Sequence, residues 1–114
     1  MNIILLGAAG FIGTNLAIKL AANKENKITL VDTNKNYFSH LYAMNFSNIK
    51  YKECKFNLES NYEDLLEKND VVYHLVSTTA PTTSNQHISE ELMANVVVTS
   101  RILDACVRCN VQKV

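Results

Sequence analysis

The sequence predicts an α/β fold, a parallel sheet with helices on both faces and about four strands plus the start of a fifth. Three observations predict it. Short apolar runs of the buried-strand kind recur, first at Ile3-Ile4-Leu5-Leu6, then at Ile28-Thr29-Leu30-Val31 and again at Val71-Val72-Tyr73-His74-Leu75-Val76. Segments of helical periodicity separate them, as strand–helix–strand units require. All three glycines, Gly7, Gly10 and Gly13, fall directly behind the first run. Glycine makes up about 3% of the chain where ~7% is usual, so its concentration marks one place that needs backbone without side chains.

The elements follow in order. After the first strand, Ile12, Leu16 and Leu20 recur every four positions and predict a helix from Phe11 to about Ala22. Asn23-Lys24-Glu25-Asn26 connects it to the second strand, which ends at Asp32. Tyr37 to Asn45 predicts a short helix, and Ile49 to Glu53 a third strand of alternating character. Ser60-Asn61-Tyr62-Glu63 reads as a capping box opening a helix to about Lys68. The fourth strand, Val71 to Val76, leads into a Ser/Thr-rich loop from Ser77 to Gln86 that carries the sole proline, Pro81. A long helix is expected from Ile88 to about Cys109, and Val111-Gln112-Lys113-Val114 reads as the start of another strand. No repeat, linker or low-complexity tract interrupts the pattern.

Lys plus Arg number 11 and Asp plus Glu number 11, with no like-charge block, which makes nucleic acid a poor partner. No stretch approaches the ~20 apolar residues of a membrane span, and Met1-Asn2-Ile3 lacks the basic start of a signal peptide. Cys54, Cys106 and Cys109 are too sparse for a disulfide framework and suggest reduced thiols in the cytoplasm. Cys106 and Cys109 form a CxxC, but late in a helical pattern and with no nearby histidine they read as packed helix residues, and no metal site is expected.

Gly7-Ala8-Ala9-Gly10-Phe11-Ile12-Gly13 leaves a strand and opens a helix, which is the context a phosphate-binding glycine loop needs. Gly7 permits the tight turn, Gly10 leaves room for a pyrophosphate, and Gly13 lets the helix pack closely. The helix N-terminus offers unpaired N–H groups and partial positive charge to the phosphates. Asp32 stands about 20 residues further on, where a carboxylate accepts from the adenosine ribose hydroxyls and would repel a 2′-phosphate. NAD is therefore the expected cofactor, in preference to NADP.

With these residues in view, the sequence resembles the extended short-chain dehydrogenase/reductase family, specifically the NAD-dependent nucleotide-sugar epimerases and dehydratases of the UDP-glucose 4-epimerase kind. The resemblance rests on the glycine segment, on Val31-Asp32, on Val71 to Val76, and on Asn95-Val96 with Thr99 and Leu103-Asp104-Ala105-Cys106. It spans the whole chain but only the opening part of a family member. It implies a truncated Rossmann-like sheet in which the backbone amides of Phe11 and Ile12 bind pyrophosphate and Asp32, Thr33 and Asn34 surround the ribose. Asn57-Leu58 occupies the place of an Asp-Leu or Asp-Ile pair at the adenine edge, with the Asn57 side-chain carbonyl able to accept from the adenine amino group. Leu75, Val76, Ser77 and Thr79 would line the nicotinamide side, Asn95 would face the cofactor, and the loop from Ser77 to Ser84 would approach the sugar.

The family's catalytic Tyr-x-x-x-Lys belongs to the helix after a fifth strand, where the lysine lowers the tyrosine pKa. Tyr51 to Lys55 fits the spacing, but on a strand four residues span ~13 Å, so it is set aside. His74, in a strand between apolar neighbours, reads as a core or sheet-face residue. The chain is therefore expected to bind a dinucleotide weakly and not to catalyse, as the N-terminal part of an epimerase or dehydratase acting on a nucleotide sugar. A non-catalytic NAD(P)-binding sensor or interaction domain is the alternative. The long helix and an open sheet edge imply a homodimer or higher oligomer.

Overall fold

The structure is a computed structural model, in which residues 1–76 and 88–114 are described. Four parallel strands form one sheet in the order β3-β2-β1-β4: β1 Asn2–Leu6, β2 Lys27–Asp32, β3 Ile49–Glu53 and β4 Val71–His74. Leu6 is in register with Val31 on one side and with His74 on the other, so β4 ends level with β1 and β2 runs one residue further, to Asp32. The chain winds outward from β1 to β3 and then returns to the far side of β1. The strand order thus reverses between β1 and β4, and in such sheets the crevice that takes ligands lies at the carboxyl ends of these two strands.

Alternation along the strands creates two cores. Ile3, Leu5, Ile28, Leu30 and Ile49 face α1 (Phe11–Ala21) and α2 (Ser39–Tyr42), where they meet Ala17, Ala21, Phe38 and Leu41. Ile4, Leu6, Val31 and Val72 face α3 (Tyr62–Leu66) and α5 (Val98–Arg108), where they meet Tyr62, Leu66, Val98, Ile102, Ala105 and Cys106. β1 is buried on both faces, which is why its run is apolar without interruption. Each fully buried Leu or Ile here contributes about 1.5–3 kcal/mol relative to exposure. Asn45 and Asn110, just past α2 and α5, hold the left-handed backbone that ends helices, with φ of 52° and 56°.

Several expected boundaries shift for identifiable reasons. The Ser60–Glu63 capping box is not formed. Asn61 caps α3 instead, its Oδ1 accepting from Asp64 N at 3.2 Å, while the Ser60 hydroxyl donates to the Lys55 carbonyl. α3 stops at Leu66 because Glu67 turns extended and Lys68 turns left-handed, short of the expected end at Lys68. The helix expected over residues 37–45 begins earlier, as a 3-10 turn Lys35–Phe38 capped by Asn34, and continues as α2 only to Tyr42. β4 ends at His74, although Leu75 N still donates to Leu6 O at 2.8 Å. The long helix of residues 88–108 consists of α4 (Ile88–Leu92), a π turn (Met93–Val97) and α5. Lys113 bridges Val71 in parallel, so the expected start of a fifth strand lies against β4.

His74 closes β4 half-buried beneath α5, sharing a 2.7 Å hydrogen bond between Nε2 and the Thr99 hydroxyl. Its Nδ1 is buried with no hydrogen-bond partner among the described residues. Burial pushes the His74 pKa below the usual histidine value, so the folded protein keeps the ring neutral. An unfolded histidine titrates near ~6.5. As pH falls below ~6.5 the unfolded chain takes up a proton that the folded chain resists, so the stability His74 contributes at neutral pH is lost toward its lower folded pKa. Denaturant unfolding followed from pH ~7 to ~5 is expected to show a shallower loss in His74→Gln than in the parent protein.

Candidate functional site

The crevice is built by the glycine segment. Gly7 leaves β1 with φ of +77°, and a Cβ there would stand 2.9 Å from Val76 N and 3.0 Å from the Leu75 carbonyl. The turn packs directly on the end of β4 and is tied to β2, since Gly7 N and Ala8 N both donate to Val31 O, at 2.8 and 3.1 Å. α1 then starts at Gly10, which has extended backbone and no capping side chain, and no acidic residue stands in the first turn. A Cβ on Gly10 would meet nothing within 4 Å among the described residues. Space in front of the helix N-terminus is therefore open, and the Phe11 and Ile12 amides face no acceptor among the described residues. Their side chains are 85% and 68% exposed, so the core does not claim this end of the helix. Gly13 plays a different part. Its Cβ would fall 2.5 Å from Ala8 O, so only glycine lets the helix lie against the turn.

Asp32 reaches across from β2 to this turn. Its Oδ2 accepts from Ala9 N at 2.9 Å and its Oδ1 from Thr33 N at 2.8 Å. The carboxylate thus braces the loop from behind and still has lone pairs for two hydroxyls, since an ionised carboxylate offers about four. This brace was not visible in the sequence. Nor was the contact of Thr14 on α1 with His40 on α2, where Oγ1 and Nε2 lie 3.2 Å apart. Both pairings depend on how elements dock across more than 20 positions, for which local spacing carries no signal.

The other expected site residues divide. Leu75 and Val76 border the glycine turn through their backbones, and Val76 also packs on the second core. Thr33 is exposed, and the Asn34 side chain is engaged by Asn36 N at 2.9 Å. The Asn57 side-chain carbonyl expected to meet adenine is occupied: it accepts from Glu59 N at 3.0 Å and Ser60 N at 3.1 Å, closing a turn. What remains outward is its amide NH2 and the backbone N–H of Leu58, whose side chain packs on the second core. Asn95 sits half-buried in the π turn, one helical turn before the Thr99 that touches the end of β4. Ser77 and Thr79, with the rest of the Ser/Thr-rich loop to Gln86, lie outside the described residues.

Other chemistry is disfavoured among the described residues. Tyr51 packs edge-on against Tyr42 at 4.6 Å and against Phe38 at 5.2 Å, and burial raises its pKa, the opposite of what a catalytic base needs. Burial also pushes the Cys106 and Cys109 thiols up, so neither is a ready thiolate. Among the described residues no group of three His, Cys, Asp or Glu side chains could hold a metal ion, and no helix is long and apolar enough to cross a membrane.

A parallel sheet reversing beside a glycine turn, with a strand-end carboxylate braced on that turn, defines a Rossmann-like domain. Comparison with known proteins narrows the class. The profile of the NAD dependent epimerase/dehydratase family matches residues 3–114, and the chain belongs to that family. It is 30% identical over 120 residues to the uncharacterized UDP-glucose epimerase YtcB of Bacillus subtilis, covering 98% of this chain and 38% of that protein. It is 29% identical over 103 residues to UDP-glucuronic acid decarboxylase 3 of Arabidopsis thaliana, covering 90% of this chain and 29% of that one. Among solved structures, UDP-glucuronic acid 4-epimerase from Bacillus cereus in complex with UDP-glucuronic acid and NAD superposes with a TM-score of 0.79 at 28% identity, over 93% of this chain and 36% of that one. The chain therefore spans about a third of the length of the relatives it matches.

Proposed function

We propose that residues 1–114 are the N-terminal NAD-binding portion of an enzyme that acts on a nucleotide sugar, of the epimerase or dehydratase kind. The observation that carries this reading is the open space before the α1 N-terminus at Gly10, flanked by the braced carboxylate of Asp32. That cradle fits a dinucleotide: the Phe11, Ile12 and Gly13 amides hold the pyrophosphate, Asp32 with Thr33 and Asn34 holds the ribose, and Leu58 N–H with Asn57 meets the adenine edge. Leu75, Val76 and Asn95 line the nicotinamide side. A bound nicotinamide supplies reversible acceptance of a hydride from a sugar carbon. The chain's own residues bind and orient, and the Tyr-x-x-x-Lys pair that moves the sugar proton belongs to sequence beyond this span. Relatives solved with NAD and UDP sugars support the cofactor and substrate class.

Calorimetric titration with NAD and NADP tests the reading, with NAD binding in preference to NADP as the expected result. Asp32→Ala is expected to weaken NAD by about tenfold, from lost charge-assisted hydrogen bonds. It also narrows the preference over NADP by removing the charge that repels a 2′-phosphate. Equal affinity of the parent protein for both cofactors, unchanged in the variant, contradicts this assignment.

The same proposal includes cytoplasmic residence and a homodimer. Ile88, Leu92, Val96, Leu103 and Val107 form an exposed apolar stripe along α4, the π turn and α5, with Val107 78% exposed. Leu103→Glu with Val107→Glu is expected to convert the dimer to monomer in analytical ultracentrifugation without altering the far-UV circular dichroism.

A further inference from the structure

The overall neutrality of the chain conceals a segregated positive groove. Ile28, Leu30, Ile49 and Tyr51 turn to the first core, so the alternating residues Lys27, Thr29, Lys50 and Lys52 turn to the opposite face of the sheet. Leu65 of α3 and the segment Glu67-Lys68-Asn69 form the facing wall, enclosing a groove of about 460 Å³. Lys27, Lys50, Lys52 and Lys68 all line it, against Glu67 as its one carboxylate. All four are exposed, and none makes an ion pair with a described residue. Of the acids nearby in sequence, Glu53 accepts from Lys35 N at 3.2 Å and Asp70 from Asn2 N at 2.8 Å.

Protection of a sheet edge explains part of this arrangement. β3 is an edge strand, and lysines there discourage pairing with another chain. Lys27, however, lies on β2, an inner strand, and Lys68 lies across the groove on a connection. Lys68 also holds φ of +65°, a conformation that glycine or asparagine adopts at less cost. Strand geometry places Lys50 and Lys52 ~7 Å apart on one face, and Lys27 is diagonal to Lys50 across the register Thr29↔Lys50. Like charges so close repel one another and are relieved by a bound anion. The groove begins where β1, β2 and β4 begin, with Asn2, Lys27 and Asn69, whereas the glycine turn lies at the strands' carboxyl ends. The two are separate.

The geometry points to this groove as a second anion site, taking a linear di- or triphosphate on Lys27, Lys50, Lys52 and Lys68. Three or four ammonium groups around a slot of this size suit a short chain of phosphates better than one orthophosphate. Its small extent suits a small ion better than a nucleic acid backbone, which is held through many phosphate contacts along a track.

The test separates this site from the nucleotide cradle. Gly10→Val, which fills the cradle, serves as the background, and the protein is titrated calorimetrically with inorganic tripolyphosphate, pyrophosphate and orthophosphate. Binding is expected in that descending order and should weaken as salt rises. Lys50→Gln with Lys52→Gln is expected to weaken tripolyphosphate by about tenfold or more, and Lys68→Gln to do so in part. Lys19→Gln, on α1, is expected to leave it unchanged. ATP binding as tightly as tripolyphosphate assigns recognition to the phosphate chain, and tighter ATP binding adds a nucleoside contact to the same site. If the double variant is misfolded by circular dichroism, Lys68→Gln decides. Absence of tripolyphosphate binding, or equal binding by the lysine variants and the background, overturns the proposal. So does loss of binding to the same degree in Lys19→Gln.

Discussion

Gly10→Val is expected to abolish dinucleotide binding and leave the fold intact. A Cβ at this position meets no atom of the described residues within 4 Å, so their packing has nothing to lose. The backbone there has φ of −75° and ψ of 179°, extended values that valine adopts readily. The isopropyl group instead projects into the space in front of the Phe11 and Ile12 amides. A pyrophosphate must approach these groups to hydrogen-bond distance, and charge-assisted bonds of this kind contribute about 1.5–3 kcal/mol each. Losing two or three of them weakens binding by at least about a hundredfold. Circular dichroism and the denaturation midpoint should match the parent protein, while calorimetry with NAD shows no heat.

Gly13→Ala is expected to do the reverse kind of damage. Its new Cβ would stand 2.5 Å from Ala8 O, 2.7 Å from Ala8 Cα and 2.8 Å from Ala8 C, all backbone atoms of the turn. None can rotate aside. Ala8 is fully buried, and its N–H is tied to Val31, so the turn cannot retreat without breaking its link to β2. Relief must come from α1 lifting off, which unpacks Ala17 and Ala21 from the first core. The expected cost is about 3 kcal/mol, a large share of the ~5–15 kcal/mol that holds a domain together. Urea denaturation should show a lower midpoint with unchanged slope. Two glycines three positions apart thus have opposite consequences, one in binding and one in stability, and no account of a general flexible loop produces that contrast.

The sheet and the glycine turn were legible because their signals are local. β1 announces itself by burial on both faces, and the glycines by being the only three in the chain. The place of Asp32 at the end of β2, beside the glycine turn, was legible from its spacing. Its bond to Ala9 N was not, because that bond depends on the distance between two strand ends. The helix at Tyr62 shows a subtler limit. Ser60 and Glu63 satisfy the capping-box spacing, yet Ser60 is drawn away to Lys55 and Asn57 and the cap falls to Asn61. Ser and Asn are comparable caps, so propensity cannot choose between adjacent candidates and the preceding turn decides. Asn57 was read from the family position it occupies. Its side-chain oxygen belongs to that same turn, which changes the atom it can present from an acceptor to a donor.

The most direct test of the central claim is a titration of the isotope-labelled protein with NAD, followed by backbone amide NMR. The signals of Gly10, Phe11, Ile12 and Gly13 are expected to shift together with that of Thr33 beside Asp32, while the signals of the lysine groove stay in place. Saturation by NAD with the amides of residues 10–13 unmoved would contradict that claim.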